Sequence, residues 1–329
     1  MDRPAAPRSA LPALARRALA FAGLGLLLYA LLAAATEQLV RSTGHANPFF
    51  KIATLQSPAV DWVILGTSHA MPLDFGGTRE ELQRRTGQSF VNLAATGTGP
   101  LYNRFVLEQF LAGHRTRNVM VVVDSFAYHA ATWNEERFAD AKLLARTPFD
   151  RALAGRLWRF VRDDGVSPRA WLDYATSFSK INNRDRFKED RWEGEEQFER
   201  VWRPSVTAVK KRVQYLYPRG TAATARERYL GELSRLIAAA RRSGSRVVVV
   251  KLPTPAQYRS QLPEEPQFDA ALARLLANAG VPFRDFSQAL PQPRYYFDSD
   301  HLNRDGVAEL LSRHLVPLVA SEANGGLRF

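Results

Sequence analysis

The 329-residue sequence contains no cysteine. This absence excludes a disulfide scaffold, a cysteine nucleophile and any metal site built on thiolates. It says nothing about the cellular compartment, because exported domains can also lack cysteine. Internal repeats and low-complexity tracts are missing as well. With 46% hydrophobic residues the chain can bury a sizeable core, so we expect one large domain, or one domain that carries an insertion.

A recognisable nucleic-acid-binding motif is also lacking, although the formal net charge is +12. Such a charge suits nucleic acid, anionic lipid or an acidic polymer. The basic residues are mostly arginines interspersed with acids, rather than the clustered basic face of a nucleic-acid-binding domain. We therefore expect no nucleic-acid partner, and the two other classes stay open.

Long apolar runs are scarce, and the one of membrane-spanning length lies near the N-terminus. Residues 18–36 are nineteen residues without a charge, dominated by Leu, Ala and Gly. That length is sufficient to cross a bilayer once. The positive-inside rule then predicts a cytoplasmic segment at 1–17, a transmembrane anchor at 18–36 and a domain exported across the bacterial inner membrane. The arginines on the cytoplasmic side are Arg3, Arg8, Arg16 and Arg17.

A cleaved signal peptide is the rival interpretation of this run, since Ala33-Ala34-Ala35 could serve as a small-residue cleavage site. The hydrophobic region of a signal peptide usually spans about 7 to 15 residues. The run in this chain is longer, which favours an uncleaved anchor in the lipid bilayer. Residues 37–58 are then interpreted as a juxtamembrane connector, and residues 59–329 as the exported domain.

A second apolar run, Trp62 to Leu65, stops abruptly at Gly66, Thr67 and Ser68. Its bulky, partly β-branched residues are typical of a strand that is covered on both faces. Ser68 would then lie at the carboxyl end of the strand, where ligands bind in open α/β sheets. The alternative is that Ser68 is an ordinary helix N-cap. For His69, which follows it directly, we expect a substrate-pocket or structural role.

A second chemically informative stretch lies far downstream. Asp298 precedes His301 by three residues, just ahead of an apolar pattern of helical spacing. One loop can therefore carry both side chains, and the carboxylate can hold the imidazole. With Ser68 they make up a nucleophile, a base and an orienting acid, the set that activates a hydroxyl at neutral pH.

With these blocks the chain resembles the SGNH (GDSL-like) hydrolase and acyltransferase superfamily. The matching stretches are Gly66-Thr-Ser68, Asn92-Leu-Ala-Ala-Thr-Gly97 and Asp298-Ser-Asp-His301. The resemblance implies an α/β fold with a flavodoxin-like parallel sheet flanked by helices. It also implies serine-dependent ester chemistry without a cofactor, in which the N–H groups of Ser68 and Gly97 form the oxyanion hole.

The family's Gly-x-Asn-Asp block, whose asparagine donates to the oxyanion, is absent. The predicted strand Asn118 to Val123 continues instead into Asp124 and Ser125. This looser pattern is similar to that of the membrane-anchored branches, the alginate O-acetyltransferase-like and D-alanyl-lipoteichoic acid transfer proteins. Those branches imply O-acyl transfer, most simply of an acetyl group, to a cell-surface or exported polysaccharide, with a multi-span membrane acyltransferase supplying the acyl group. A carbohydrate esterase and a non-catalytic glycan-binding or assembly subunit remain alternatives.

The rest of the chain alternates between strand and helix patterns, which predicts a parallel sheet. Strands are expected at 89–93, 118–123, 246–251 and 281–286. Residues of about 130–226 break this alternation and are interpreted as a mostly helical insertion. Five of the six tryptophans lie in it: Trp133, Trp158, Trp171, Trp192 and Trp202.

Tryptophans interleaved with charged residues suit recognition of a sugar or a polyanion, because aromatic rings stack on pyranose faces. The alternative is an ordinary insertion whose tryptophans belong to its core. The candidate substrate-binding residues are His69, Asp124, Ser125, Trp133 and Trp192. A metal site could in principle draw on His69, Asp124 and His129, but their spacing matches no recognised ligand motif, so we expect no metal.

Overall fold

The computed structural model describes residues 13–44, 46–140 and 143–325. A five-stranded parallel sheet forms its centre, with the strand order β2-β1-β3-β4-β5. This is the flavodoxin-like order of doubly wound folds. The predicted fold class, a parallel sheet flanked by helices, is therefore confirmed. The strands are β1 (Ala59–Leu65), β2 (Phe90–Asn92), β3 (Arg115–Val122), β4 (Arg246–Lys251) and β5 (Phe283–Asp285).

The strands form because their side chains alternate between two apolar layers. In β1, Val63 and Leu65 join the core on one face of the sheet. Trp62 and Ile64 join the core on the other face. This period of two, with both sets buried, is the pattern of a strand covered on both faces. It explains why β1 is a continuous apolar run in the sequence.

Helices cover both faces of the sheet. Those that begin before the predicted insertion are α1 (Ala13–Thr43), α2 (Pro48–Thr54), α3 (Thr78–Thr86) and α4 (Pro100–Gly113). Within the predicted insertion lie α5 (Arg151–Asp163), α6 (Pro168–Ala175), α7 (Phe178–Ile181), α8 (Val206–Leu216) and the start of α9 (Ala223–Arg242). The remaining helices are α10 (Ala256–Arg259), α11 (Glu265–Asn278), α12 (Arg304–Leu310) and α13 (Val316–Gly325). A π-helical turn, Leu311–Leu315, joins the last two.

The segment predicted as an insertion does not form a core of its own. Leu153 and Phe160 of α5 belong to the same apolar cluster as α4 and α9, on one face of the sheet. Trp133 is also buried in this cluster, and Trp171 packs against it. Trp158 is different, because 47% of its surface is exposed. Part of the insertion is therefore built into the domain's core.

Helix α1 is long and apolar enough to cross a membrane, with a mean hydropathy of 2.2 over its most apolar window. A signal sequence near the N-terminus would have the same properties. The helix contains the predicted anchor, 18–36, and continues to Thr43, so the predicted connector begins as helix. Residues 1–12 of the predicted cytoplasmic segment lie outside the described residues.

Candidate active site

Four chain segments meet at the carboxyl edge of the sheet. The loop after β1 carries Ser68, the loop after β2 carries Gly97, and β3 ends next to Asp124. The fourth segment carries Asp298 and His301 immediately before α12. The turn after β1 requires a glycine, because a Cβ at position 66 would lie 2.8 Å from Cβ of Val122. Glycine thus lets β1 end beside β3 and direct Ser68 into the edge.

A continuous chain of hydrogen bonds joins the predicted nucleophile, base and acid. Ser68 Oγ lies 2.9 Å from His301 Nε2. His301 Nδ1 lies 2.9 Å from Asp298 Oδ2. When Nδ1–H donates to Asp298, Nε2 is left as the acceptor for the Ser68 hydroxyl proton. Ser68 and His301 are 5% and 2% exposed, so the pair is largely shielded from bulk water. The catalytic role of all three residues remains a prediction.

The loop that holds the base is fixed by its own backbone. Asp298 Oδ1 accepts hydrogen bonds from the N–H groups of His301 at 2.8 Å and Asp300 at 3.0 Å. The Phe297 ring stacks on the His301 ring with centroids 5.5 Å apart. Asn303 caps α12 by accepting from the Gly306 N–H at 2.9 Å. A local turn therefore orients His301, which explains why two residues three positions apart can act as one unit.

The backbone N–H groups of Ser68 and Gly97 are available to a ligand. Among the described residues neither N–H donates to a protein acceptor. Gly97 has φ +60°, a conformation that favours glycine, and a Cβ there would lie 2.8 Å from the Trp133 ring. A glycine at this position thus permits the loop to lie directly on the indole. Two unpaired donors beside a serine hydroxyl can stabilise the oxyanion of a tetrahedral intermediate.

Ser68 opens into a cleft with a volume of about 440 Å³. The insertion supplies much of its wall, including Trp133, Arg137, Trp192, Arg212 and Tyr215. The Trp133 indole N–H donates to the Leu216 carbonyl at 2.8 Å, which fixes its ring. The Trp192 ring contacts the His301 ring at a centroid distance of 4.8 Å. Both tryptophans that were predicted to bind substrate therefore line the cleft.

His69 does not line this cleft, in contrast to one of its two expected roles. It is buried between two carboxylates, with Nδ1 2.6 Å from Asp124 Oδ1 and Nε2 3.0 Å from Asp300 Oδ2. Burial lowers the pKa of His69, but the two carboxylates outweigh that effect and raise the pKa to about 10. A protonated imidazole is therefore enclosed directly behind Ser68, and the structural role is the one that the geometry supports.

Asp124 and Ser125 also point into the protein rather than into the cleft. Asp124 accepts from the Thr67 hydroxyl at 2.5 Å in addition to binding His69. Ser125 Oγ lies 2.7 Å from the Tyr217 hydroxyl and is also hydrogen-bonded to Glu265. Neither side chain lines the cleft, in contrast to the expected substrate-binding position, because buried polar groups at the end of β3 satisfy one another.

Two residues of the site were not predicted from the sequence, Asp300 and Arg212. Arg212 Nε donates to Asp300 Oδ2 at 2.8 Å. Its terminal nitrogens have no hydrogen-bond acceptor among the described residues, and the side chain lines the cleft. The pKa of Asp300 lies well below its usual range, because His301, Arg212 and His69 overcome the effect of burial. Asp300 could have been predicted as the second aspartate of the Asp298-Ser-Asp-His301 block. Nothing in the sequence of α8 indicates that Arg212 belongs to the site.

His69, Asp300 and His301 lie close enough together to suggest a metal site, with possible ligand atoms within 4.8 Å of one another. The hydrogen bonds described above already occupy these atoms. His69 binds carboxylates through both ring nitrogens, and His301 Nε2 faces Ser68. The arrangement is therefore that of an ion-pair network.

No family model and no curated protein matches this chain. Solved structures do match it at low identity. A predicted acylhydrolase from Bacteroides fragilis is 12% identical with a TM-score of 0.42, covering 83% of this chain and 95% of the other. A GDSL-like lipase from Bacteroides thetaiotaomicron is 11% identical with a TM-score of 0.36, covering 82% and 94%. Likenesses at this distance carry no information about activity, so the chemistry of the cleft depends on its own side chains.

Proposed function

We propose that the chain is a membrane-anchored serine O-acyltransferase that acts on a cell-surface or exported polysaccharide. One observation carries the proposal: the hydrogen-bonded chain from Ser68 through His301 to Asp298 opens into a cleft beside two unpaired backbone N–H groups. A serine in this arrangement is equipped to accept and release an acyl group.

In the first half-reaction, Ser68 Oγ attacks the acyl carbonyl carbon while His301 Nε2 takes the hydroxyl proton. The N–H groups of Ser68 and Gly97 hold the oxyanion. The tetrahedral intermediate collapses, His301 returns the proton to the leaving group, and an acyl-serine ester remains. Asp298 keeps the imidazole in the required tautomer and stabilises its charged form.

In the second half-reaction, a sugar hydroxyl takes the place of the leaving group. His301 removes its proton, the oxygen attacks the acyl-serine, and Ser68 recovers its proton from His301 as the ester bond to it breaks. The walls of the cleft suit such an acceptor. Trp192 is half-buried and offers aromatic surface for a sugar ring, whereas Trp133 is 2% exposed and supports the wall from the core. Arg212 offers terminal N–H donors for hydroxyl or anionic groups.

Transfer is preferred over hydrolysis because a membrane anchor suits partnership with a multi-span protein that exports acyl groups. We propose an acetyl group as the simplest cargo, and residence at the bacterial inner membrane with the domain outside the cytoplasm. The second candidate is a carbohydrate esterase with the same residues, in which water replaces the sugar hydroxyl. A non-catalytic glycan-binding subunit is the third.

A trapping experiment separates these candidates. The full chain in detergent is incubated with p-nitrophenyl acetate, quenched in acid and examined by peptide mass spectrometry. An acetyl group on Ser68 supports the enzyme, and its faster loss when polysaccharide is added, with the acetyl group recovered on the glycan, supports transfer. If the acetyl group leaves Ser68 as free acetate and none is recovered on the glycan, the esterase is supported. A folded chain that forms no acetyl-serine and does not hydrolyse the ester would leave the non-catalytic subunit.

A further inference from the structure

One face of α1 is covered by the domain along the C-terminal half of the helix. Tyr29, Ala33, Thr36 and Val40 are buried or half-buried, whereas most of the residues between them are exposed. Their spacing of three and four residues places them on a single stripe of the helix. The stripe begins inside the charge-free run, 18–36, and extends beyond it. Part of the domain therefore lies beside the segment proposed to span the membrane.

Two contacts fix the level of the domain along α1. The Tyr29 hydroxyl donates to the Thr176 carbonyl at 3.0 Å. Glu37 binds the buried Lys180 ammonium at 2.5 Å and also accepts from the Phe149 N–H at 2.9 Å. Glu37 is the first charged residue after the apolar run, so it marks the water side of the bilayer. Tyr29, which holds Thr176, lies eight residues before Glu37 on α1 and is therefore closer to the middle of the apolar run.

The dimensions of the helix convert this spacing into a depth. At about 1.5 Å per residue, the run 18–36 is about 28 Å long, which is close to the hydrocarbon thickness of about 30 Å. The stretch 29–36, which overlaps the covered stripe, is about 12 Å long. If the run spans the bilayer as proposed above, the domain atoms that contact Tyr29 lie below the lipid headgroups, at the level of the hydrocarbon.

The corner between α6 and α7, residues 172–178, has the surface that such a position requires. Leu172 is 52% exposed and Phe178 is 40% exposed. Residues 174–179 read Tyr-Ala-Thr-Ser-Phe-Ser and contain no charge, and the one charged residue of the corner, Asp173, is ion-paired with Arg169 at 3.5 Å. An aqueous loop gains nothing from exposing large apolar side chains, whereas phenylalanine and leucine at a membrane interface bury their surface in lipid.

We infer that the α6–α7 corner is seated in the outer leaflet of the bilayer, so that the domain touches lipid directly as well as through α1. This inference rests on the anchor role proposed for α1. It adds a second contact with the membrane, made by the folded domain itself. The occupant of the apolar surface is lipid, because α1 fixes the corner at a depth where lipid is the surrounding medium.

The absence of cysteine makes a direct test practical, since one introduced cysteine accepts one nitroxide label. The full-length Thr176→Cys protein is reconstituted alone in phospholipid bilayers, and the collision rates of its label with oxygen and with a water-soluble nickel complex are compared. The substitution leaves the hydrogen bond from Tyr29 intact, because that bond uses the Thr176 carbonyl. Glu227→Cys, at an exposed position on α9, is the matched control.

The oxygen-to-nickel collision ratio should be several-fold higher at position 176 than at position 227. Adding Phe178→Asp should move the ratio at 176 toward the aqueous value, whereas Val206→Asp, at a valine that is 70% exposed on α8, should leave it unchanged. An aqueous ratio at 176 in protein that resists alkaline extraction would overturn the inference and leave the anchor standing. An unchanged ratio with Phe178→Asp would also contradict it. Release of the protein by alkali would overturn the anchor itself.

Discussion

Ser68 and His301 are the residues on which the proposed chemistry depends. Replacing either by alanine removes the nucleophile or the base, while the sheet and its two apolar layers are unaffected. We expect Ser68→Ala or His301→Ala to reduce acyl transfer by about three to six powers of ten, and Asp298→Asn to cost as much or less. Single-turnover transfer assays measure the loss, and circular dichroism checks that the variants are folded.

A fluorophosphonate probe gives the complementary result for the same residues. It should label Ser68 in the wild-type protein and fail to label Ser68→Ala. Equal labelling of the two proteins would show that another residue is the nucleophile. If neither folded protein is labelled or active, the non-catalytic subunit becomes the better account.

His69 has a different importance, because its charge stabilises two buried carboxylates, Asp124 and Asp300. Removing one partner of a buried ion pair leaves an uncompensated charge, which costs about 3–5 kcal/mol. We therefore expect His69→Gln to lower the free energy of unfolding by that amount, measured by chemical denaturation. Arg117→Ala is the control: Arg117 pairs with Asp61 at 3.3 Å but its side chain is 76% exposed. An exposed pair contributes at most about 1 kcal/mol, so a similar loss in both variants would contradict the role of His69.

The same histidine predicts how stability depends on pH. The pKa of His69 is about 10 in the folded protein and about 6.5 when the chain is unfolded. Because the folded pKa is the higher one, this contribution is fully present below about pH 6.5 and is lost as the pH rises toward about 10. The thermal midpoint of wild-type protein should fall across this range. His69→Gln should lose the part of the slope that His69 contributes, and an identical slope in both proteins would count against it.

At the scale of elements, periodicity carried most of the prediction. β4 occupies 246–251 as expected, whereas β3 begins three residues before the expected 118–123 and ends one residue earlier. Short apolar runs covered on both faces are a strong local signal. The orientation of the Asp124 side chain was not predictable in this way. The sequence places Asp124 at a strand end, but it does not indicate which neighbouring residue hydrogen-bonds to the carboxylate. The pairing of Arg212 with Asp300, 88 residues apart, likewise depends on how α8 packs against the loop before α12.

The insertion supports a prediction about the acceptor. Deleting the insertion would remove Trp133 and Phe160 from the shared core, so single substitutions are the better test. Trp192→Ala should weaken transfer to a polysaccharide more than hydrolysis of a small ester, because the ring lines the cleft. Trp158→Ala is the matched control, since that ring packs on Trp171 with centroids 5.0 Å apart. If Trp192→Ala reduced polysaccharide transfer and ester hydrolysis equally, the role of Trp192 would be to support His301 rather than to bind the glycan.

At the scale of the whole molecule, the orientation in the membrane is open to a simple measurement. The arginines before residue 18 predict that everything after about residue 37 is outside the cytoplasm. Alkaline phosphatase fused to the C-terminus should therefore be active in bacterial cells. β-Galactosidase fused at the same point should be inactive, and an active β-galactosidase fusion would reverse the proposed topology.

The stripe on α1 has a further consequence for how the protein meets its partners. A domain attached by a flexible tether sweeps a wide volume and must find each orientation anew. With α1 as the proposed membrane anchor, a domain held against it at Tyr29 and Glu37 keeps one height and one tilt. Encounters with the membrane-bound acyl donor proposed above would then be a search by lateral diffusion in two dimensions, in which much of the orientational entropy is lost before the two proteins collide.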